Sequence, residues 1–547
     1  MSHDPQLPGG KSLADQKGKR LLGPASILVC IVMVPGAVWI ALDRSVWPWD
    51  PAWYGQSTVD LFLDLTRHTK EWPASMVRTL EMKAPAICWL GQFFVPLQAL
   101  LGSVSAALFA FMLGVFAGSV LMTFVSLRLV ASVGAALLAG LAMASAPLLI
   151  GLSRNYFVEP LQVLTVCWFL YVASRKAGRV TLALDLVIAT AFGLLVKTST
   201  PAYVLAIGLL ILLRIAWRRP PGVTEVASPP RLRIVVCALV TTSCVVWYAR
   251  NWQSVISFVI SASSGEISKL YGHAGPFPEK LWFWIHQGSL AFFANPWFGI
   301  SWVALVVLAI ARRLLRGRPF DRLDTLALAS ALQIGICLVM FARQVNEETR
   351  YVLPLLPYLG VLTAFLAREL GNVVTVPLFV LFAVQFTLVQ GVGLAAIDTF
   401  GPTTPWLHPC SQDDLAARRL AALVDFTSGA GDASRYAILG VEIATFNANS
   451  AALFGAANQL RTGAPFRCLF TSLGYAELDP DRAWRRVVEE IKPAFMVFLR
   501  DFIPPKDDPL NAVTEQIHAR VRASDRFEAV ALPGFPEVLL YRARSSR

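Results

Sequence analysis

Six segments of this chain set acidic or cationic side chains where they can do chemistry, most of them beside aromatic rings. The first, Asp43-Arg-Ser-Val-Trp-Pro-Trp-Asp-Pro-Ala-Trp-Tyr54, places Asp50 among Trp49, Trp53 and Tyr54. A carboxylate held among rings can act as a general base. The rings can stack on a sugar face or anchor at a membrane interface, and a solvated Asp in a tryptophan belt is the alternative. Glu159, in Ser153-Arg-Asn-Tyr-Phe-Val-Glu-Pro160, is a second carboxylate, with Arg154 near enough in sequence to pair with it. An acid at the head of an apolar helix is costly without a role or a partner. Pro160 also suits a first helical turn whose dipole Glu159 would complement.

Four cationic positions accompany the acids. Lys83, ahead of Ala84-Pro85, can hold a phosphate or snorkel from an interfacial helix. Lys197 interrupts an apolar stretch at Leu-Val-Lys-Thr-Ser-Thr-Pro201 and either lines a site or marks a turn. Arg250 follows Trp247-Tyr248. Arg350 and Tyr351 close Arg343-Gln-Val-Asn-Glu-Glu-Thr-Arg-Tyr351. An arginine there can clamp a phosphate bidentately or pair with Glu347 or Glu348. Phosphate-cradling Gly-rich loops, HExxH and CxxC pairs are absent from the sequence, so nothing points to a nucleotide motor or a zinc hydrolase.

The elements that must carry these residues are membrane spans. Of 547 residues, 55% are hydrophobic and only 15% charged, against roughly 25% charged in soluble domains. That balance excludes a disordered chain and an ordinary soluble enzyme. Eight cysteines are too few for a disulfide scaffold. After a polar tail, 1–20, apolar runs fall near 21–42, 103–125, 131–152, 160–174, 180–196, 201–217, 234–249, 288–311, 325–342, 352–367 and 373–396. They predict about eleven transmembrane helices. The net charge of +12 sits in short clusters between these runs, as the positive-inside rule requires of cytoplasmic loops, rather than in a nucleic-acid-binding face. The tail is then cytoplasmic and the first loop, 43–102, lies outside, with Ala86–Leu101 as a shallow interfacial segment.

From about 398 the pattern changes to short strands and amphipathic helices. Tyr436–Val441, Phe466–Ser472, Phe495–Leu499 and Val538–Arg542 read as strands; Leu415–Phe426, Asp481–Ile491 and Asn511–Ser524 read as helices. The expectation is therefore a membrane all-α polytopic bundle over 21–397 and a soluble α/β domain over 398–547 on the outer side. Cys410 and Cys468 are that domain's cysteines, free or paired. The charges gather at the outer ends of the spans rather than mid-span, where an ion or proton relay would need them.

Taken in order, Asp50 to Tyr54, Lys83-Ala-Pro with Leu-Leu-Gly102, Arg154 to Glu159-Pro, Lys197-Thr and Arg350-Tyr-Val-Leu-Pro-Leu-Leu-Pro resemble the GT-C membrane glycosyltransferases. The bacterial branch of protein O-mannosyltransferases and the lipid A aminoarabinose transferase is the most similar. The resemblance implies an enzyme of the bacterial inner membrane whose active site faces the periplasm. It would move a sugar from a polyprenyl-phosphate donor to a lipid, glycan or protein acceptor, with inversion. On the family's motifs Asp50 is the catalytic base, Glu159 the second acid, and Lys83 and Arg350 the donor-phosphate contacts. Trp49, Trp53, Tyr54, Arg154, Lys197, Arg250 and Tyr351 are candidates to line the substrate. Two departures stand out: Pro51 follows Asp50 where many members have Glu, and Glu159 replaces the usual Asp. The expected partners are the donor, the acceptor and membrane lipid, with no nucleic acid, and the expected state is a monomer. No cofactor is required; a divalent metal ion between the two carboxylates is an open alternative, although two carboxylates alone make a weak site. Two readings outside catalysis remain open, a flippase for a lipid-linked sugar and a non-catalytic envelope assembly protein.

Overall fold

In the computed structural model, residues 13–217, 231–395, 410–428, 435–464, 467–474, 476–505 and 508–544 are described. Eight helices among them are long and apolar enough to cross a membrane, or nine if a bent pair counts as one span. The pair is Val133–Ser145 and Pro147–Ser153, which meet at 58°. Ala146 leaves the helical region there and Pro147 restarts the helix, since proline lacks the N–H that a continuous helix needs. The runs at 160–174 and 201–217 form the shorter apolar helices Val158–Ser174 and Thr200–Ala216. The first helix begins at Leu13, inside the expected tail. The expected domain boundary at 397/398 and the basic Arg218 and Arg219 lie outside the described residues.

Two spans differ from the hydropathy reading. The run at 288–311 is divided between Phe277–Phe293 and Pro296–Leu315. Ala294 has φ +54°, the Asn295 side chain accepts from Trp297 N, and Pro296 opens the second helix. The run at 234–249 does not end ahead of Arg250; its helix continues from Arg231 to Ser263. At the ends away from the site, several arginines expected to set topology are held in ion pairs. Arg175 pairs with Asp185, Arg313 with Asp324, and Arg316 and Arg318 with Glu369.

The core of the bundle is Val104–Arg128 and Thr349–Leu370, buried along most of their length. Rows of exposed apolar side chains stand on the outer helices, among them Leu205, Leu209 and Leu212 on one, and Val376, Val380 and Val384 on another. Spacing of three to four residues puts each row on a single face, the pattern of a surface solvated by lipid. The segment 86–102 is broken into Ala86–Gly91, the 3₁₀ turn Val95–Leu97 and Gln98–Leu101. Phe93 and Leu100 project from it.

The C-terminal domain is a five-stranded sheet between two helical layers. Its strands are β1 (Arg435–Leu439), β2 (Cys468–Ser472), β3 (Phe495–Leu499), β4 (Phe527–Ala531) and β5 (Val538–Ala543), in the order β2-β1-β3-β5-β4. β1 is parallel to β2 and β3; β5 is antiparallel to β3 and β4. Alternation divides the strand residues between two cores. Ala437, Leu439, Phe495 and Val497 pack with Leu420, Leu423 and Ala451; Ile438, Met496 and Phe498 pack with Val487, Ile517 and Val521. β4 and the helix Ala448–Thr462 are elements beyond those expected. Asp481–Ile491 is an α-turn, Pro480–Arg485, continued as a π-helical turn, Arg486–Ile491. Cys410 and Cys468 are both free thiols, with Cys468 inside the sheet core and Cys410 packed against the bundle. No disulfide joins them.

Candidate active site

Asp50 occupies the first turn of the helix Trp49–Arg67, where the helix dipole favours a negative charge. Pro48 before it is extended, and Trp49 turns the chain with φ +24°. Lys83 follows a tight corner in which Leu80 and Glu81 both have positive φ. Side-chain-bearing residues resist that conformation, and it tends to be retained where a site requires it. The corner returns Lys83 Nζ to 2.9 Å from Asp50 Oδ1. The ammonium also lies 5.0 Å from the Trp53 ring centre, 5.5 Å from Tyr54 and 5.3 Å from Phe258, close enough for cation–π attraction.

Glu159 opens the helix Glu159–Ser174, with Pro160 next to it. Its partner is not Arg154. Lys197, which ends the helix Arg179–Val196, puts Nζ 2.8 Å from Glu159 Oε1, and Arg350 Nε stands 3.6 Å from the same oxygen. Among the described residues Glu159 Oε2 is buried without a hydrogen-bond partner. Arg154 turns away, donating to Gln390 Oε1 at 2.6 Å with its guanidinium 3.8 Å from the centre of Trp39. A separation of five residues across the helix start aims the two side chains apart, whereas Lys197 arrives from a neighbouring helix.

Arg350 joins the two halves. It lies in the 3₁₀ turn Thr349–Leu355, whose Tyr351 carbonyl accepts from Tyr203 Oη at 2.8 Å. Its Nη1 is 3.2 Å from Asp50 Oδ2 and its Nε 3.1 Å from Glu348 Oε2. Glu347 is engaged elsewhere, by Lys280 and His273 at 2.9 Å each, so Glu348 is the member of the acidic pair that meets Arg350. Three carboxylates, Asp50, Glu159 and Glu348, thus interleave with three cations, Lys83, Lys197 and Arg350.

Asp50, Glu159, Lys83, Lys197 and Arg350 border a cavity of about 500 Å³, open mouth included, shared with Tyr54, Met82, Phe258, Thr198 and Tyr351; Glu348 stands behind Arg350. Of the expected residues, Asp50, Tyr54, Lys83, Glu159, Lys197, Arg350 and Tyr351 line it, and Trp53 supports Lys83. Trp49 and Arg154 do not line it, and Arg250 is exposed on its long helix. The neighbouring Asn251 is buried instead, donating to Val77 O at 2.8 Å. Glu348, Phe258 and Met82 were not anticipated as site residues; Phe258 lies on the part of the helix beyond the apolar run.

Burial alone would push the Asp50 carboxyl up, but Lys83 and Arg350 outweigh it and hold the group well below the usual carboxylate range. Burial pushes the Lys197 ammonium down, with Glu159 opposing, and pushes the Glu348 carboxyl up against the pull of Arg350. Among the described residues no group of three His, Cys, Asp or Glu gathers as a metal site. Asp50 and Glu159 each already hold a cationic side chain, so a divalent ion would have to displace lysine or arginine.

No protein-family model matches the sequence, and no curated protein matches it. Among solved structures the chain is similar to ArnT of Cupriavidus metallidurans in its apo state, with TM-score 0.57 and 14% identity over 95% of this chain and 98% of that one. The same values hold for that protein bound to undecaprenyl phosphate. The oligosaccharyltransferase of Archaeoglobus fulgidus overlaps more loosely, with TM-score 0.47 and 13% identity over 87% of this chain and 68% of that one. The likeness to the first of these establishes the GT-C fold over nearly the whole chain.

Proposed function

We propose that this protein is an integral-membrane glycosyltransferase that moves a sugar from a polyprenyl-phosphate donor to an acceptor on the periplasmic face of a bacterial inner membrane. The observation that carries the reading is the convergence of Asp50, Lys83, Glu159, Lys197 and Arg350 on one pocket with an apolar flank. A protein of the same fold binds undecaprenyl phosphate, which supports a polyprenyl phosphate as the donor here.

The chemistry is a single inverting displacement. An acceptor oxygen forms a bond to the anomeric carbon as the bond from that carbon to the phosphate oxygen breaks. The electron pair leaves with polyprenyl phosphate, and its growing negative charge is met by Lys83 and Arg350. The acceptor proton passes to Asp50. Paired through both oxygens with those cations, Asp50 is a poor base. A donor phosphate competes with Asp50 for Lys83 and Arg350. Its arrival loosens the carboxylate and raises its basicity as the leaving group is seated. Glu159, anchored by Lys197, offers Oε2 to a hydroxyl of the sugar or acceptor. No step passes through a metal ion.

The test uses the purified full-length protein in nanodiscs with a panel of radiolabelled polyprenyl-phosphate sugars and a membrane lipid extract as acceptor source. Release of free polyprenyl phosphate with growth of a labelled glycoside, both lost in Lys83→Met, is the expected result. Movement of label across a liposome membrane with no new glycoside would replace transfer by transport. Absence of both would return the weight to an assembly role.

A further inference from the structure

One helix of the C-terminal domain reaches the segment that carries Asp50. The first turn of Ala448–Thr462 abuts the segment that leads into the acid-bearing helix. Asn447 caps that turn by accepting from Ser450 N at 3.0 Å. Ser450 Oγ then donates to Trp47 O at 2.7 Å, and Asn449 Nδ2 donates to Trp49 O at 3.2 Å. Trp49 is the residue with φ +24°, immediately before Asp50. An indole-bearing residue does not rest in that region unaided, and the Asn449 amide holds its carbonyl from the other side. Beyond it the two helices stay in contact. A Cβ on Gly55 would sit 3.2 Å from Leu453 Cδ1. Arg467 grips Asp60 with Nη1–Oδ1 at 2.5 Å and Nη2–Oδ2 at 2.8 Å. The contact helix contributes Ala448 and Ala451 to the core of the soluble domain, and Leu453 and Ala456 to the core of the bundle.

We infer that Asn449 is a positioning residue for the transfer reaction, acting through the Trp49 carbonyl to aim Asp50 between Lys83 and Arg350. The C-terminal domain is thereby a working part of the active site. This rests on the reading of Asp50 as the base. The placement explains why a soluble domain packs against the first outer helix rather than hanging from the last span. A displacement of about 1 Å at a reacting group can cost about 10²-fold in rate, so a partial release of Trp49 is expected to cost about tenfold.

The experiment compares Asn449→Asp with Asn449→Gln in the full-length protein. A carboxylate at 449 cannot donate and repels the Trp49 carbonyl; the glutamine keeps an N–H₂ donor on a longer arm. Two readouts are taken: deuterium exchange of the 47–56 backbone, with β1 and β3 as internal controls, and turnover of an undecaprenyl-phosphate sugar. In Asn449→Asp, exchange over 47–56 is expected to rise several-fold while the sheet and the Tm stay unchanged. Turnover falls about tenfold with KM within twofold, and Asn449→Gln recovers both. Unchanged exchange, or a turnover loss that follows KM or Tm, or no recovery with glutamine, would overturn the inference. Asp50→Asn is run in parallel and leaves the Asn449–Trp49 contact intact. Wild-type turnover in that variant removes the base reading, whereas an inactive Asp50→Asn beside unchanged Asn449→Asp removes only the positioning role.

Discussion

Asp50→Asn should weaken turnover and tighten donor binding at once. The substitution keeps the size of the side chain and deletes the charge that occupies Lys83 at 2.9 Å and Arg350 at 3.2 Å. One such pair is worth about 4 kcal/mol by Coulomb's law at about 4 Å and an effective dielectric of about 20. Water reaches the pair, since the Asp50 side chain is 25% exposed, and the net value of a charge-assisted hydrogen bond is nearer about 1.5–3 kcal/mol. Release of the lower value in favour of an incoming phosphate raises its affinity about tenfold. The loose cations do not collapse the site, because Lys83 keeps its aromatic faces and Arg350 keeps Glu159 and Glu348. Turnover moves the other way, by about 10²–10⁴-fold, as for loss of a general base. The assay is equilibrium binding of undecaprenyl phosphate in nanodiscs beside initial rates of sugar transfer. Wild-type turnover in the variant refutes the base role. Weaker binding refutes the competition, because Asp50 would then be organising its cations rather than contending with phosphate.

Three further outcomes are expected. Lys197→Met takes the nearer cation from Glu159, whose carboxylate is almost wholly buried, and leaves it Arg350 at 3.6 Å; breaking a buried pair costs up to about 3 kcal/mol, read as a lower Tm and lost transfer. Gly91→Ala drives a Cβ to 1.9 Å from Tyr156 Oη, which donates to Ile87 O at 2.7 Å. Overpacking of about 1–3 kcal/mol should appear in chemical denaturation. Burial pushes the Glu442 carboxyl from 4.5 to about 7, with its carboxyl toward the Trp49 indole though short of a well-formed hydrogen bond. Its neutral form therefore contributes stability that is full below about 4.5 and is lost as the pH rises through about 7. Glu442→Gln stays neutral throughout, so its Tm should match wild type at low pH and exceed it by roughly a few degrees at pH 8.

The spans were legible because a bilayer imposes a local demand. Each helix must carry its own apolar residues and satisfy its own backbone, so runs such as 103–125 and 325–342 announce Val104–Arg128 and Arg322–Ala342. The acids and cations of the site were legible for a related reason, since a charge at the end of an apolar run is costly enough to mark itself. The strands β1, β2, β3 and β5 showed by short apolar runs bounded by polar residues. The edge strand β4, Phe-Glu-Ala-Val-Ala, escaped because its apolar pattern is short and weak. Ala448–Thr462 escaped because its buried residues, Leu453 apart, are small, among them Ala451, Ala452, Gly455 and Ala456, suited to close approach rather than apolar area. Asn447 and Ser450, spaced as a helix cap, were the signal available.

By itself the sequence determined which residues are acidic, which are cationic, and that they stand at the ends of spans. Hydropathy and composition depend on neighbours along the chain. Which cation meets which acid was decided by tertiary structure alone. Lys197 supplants Arg154 beside Glu159 from 38 positions away, and Arg350 reaches Asp50 across 300. The clasp of Asn449 on Trp49 spans 400. Ion pairs and carbonyl contacts need angstrom-scale proximity between side chains on different helices, and only the packing of those helices sets it.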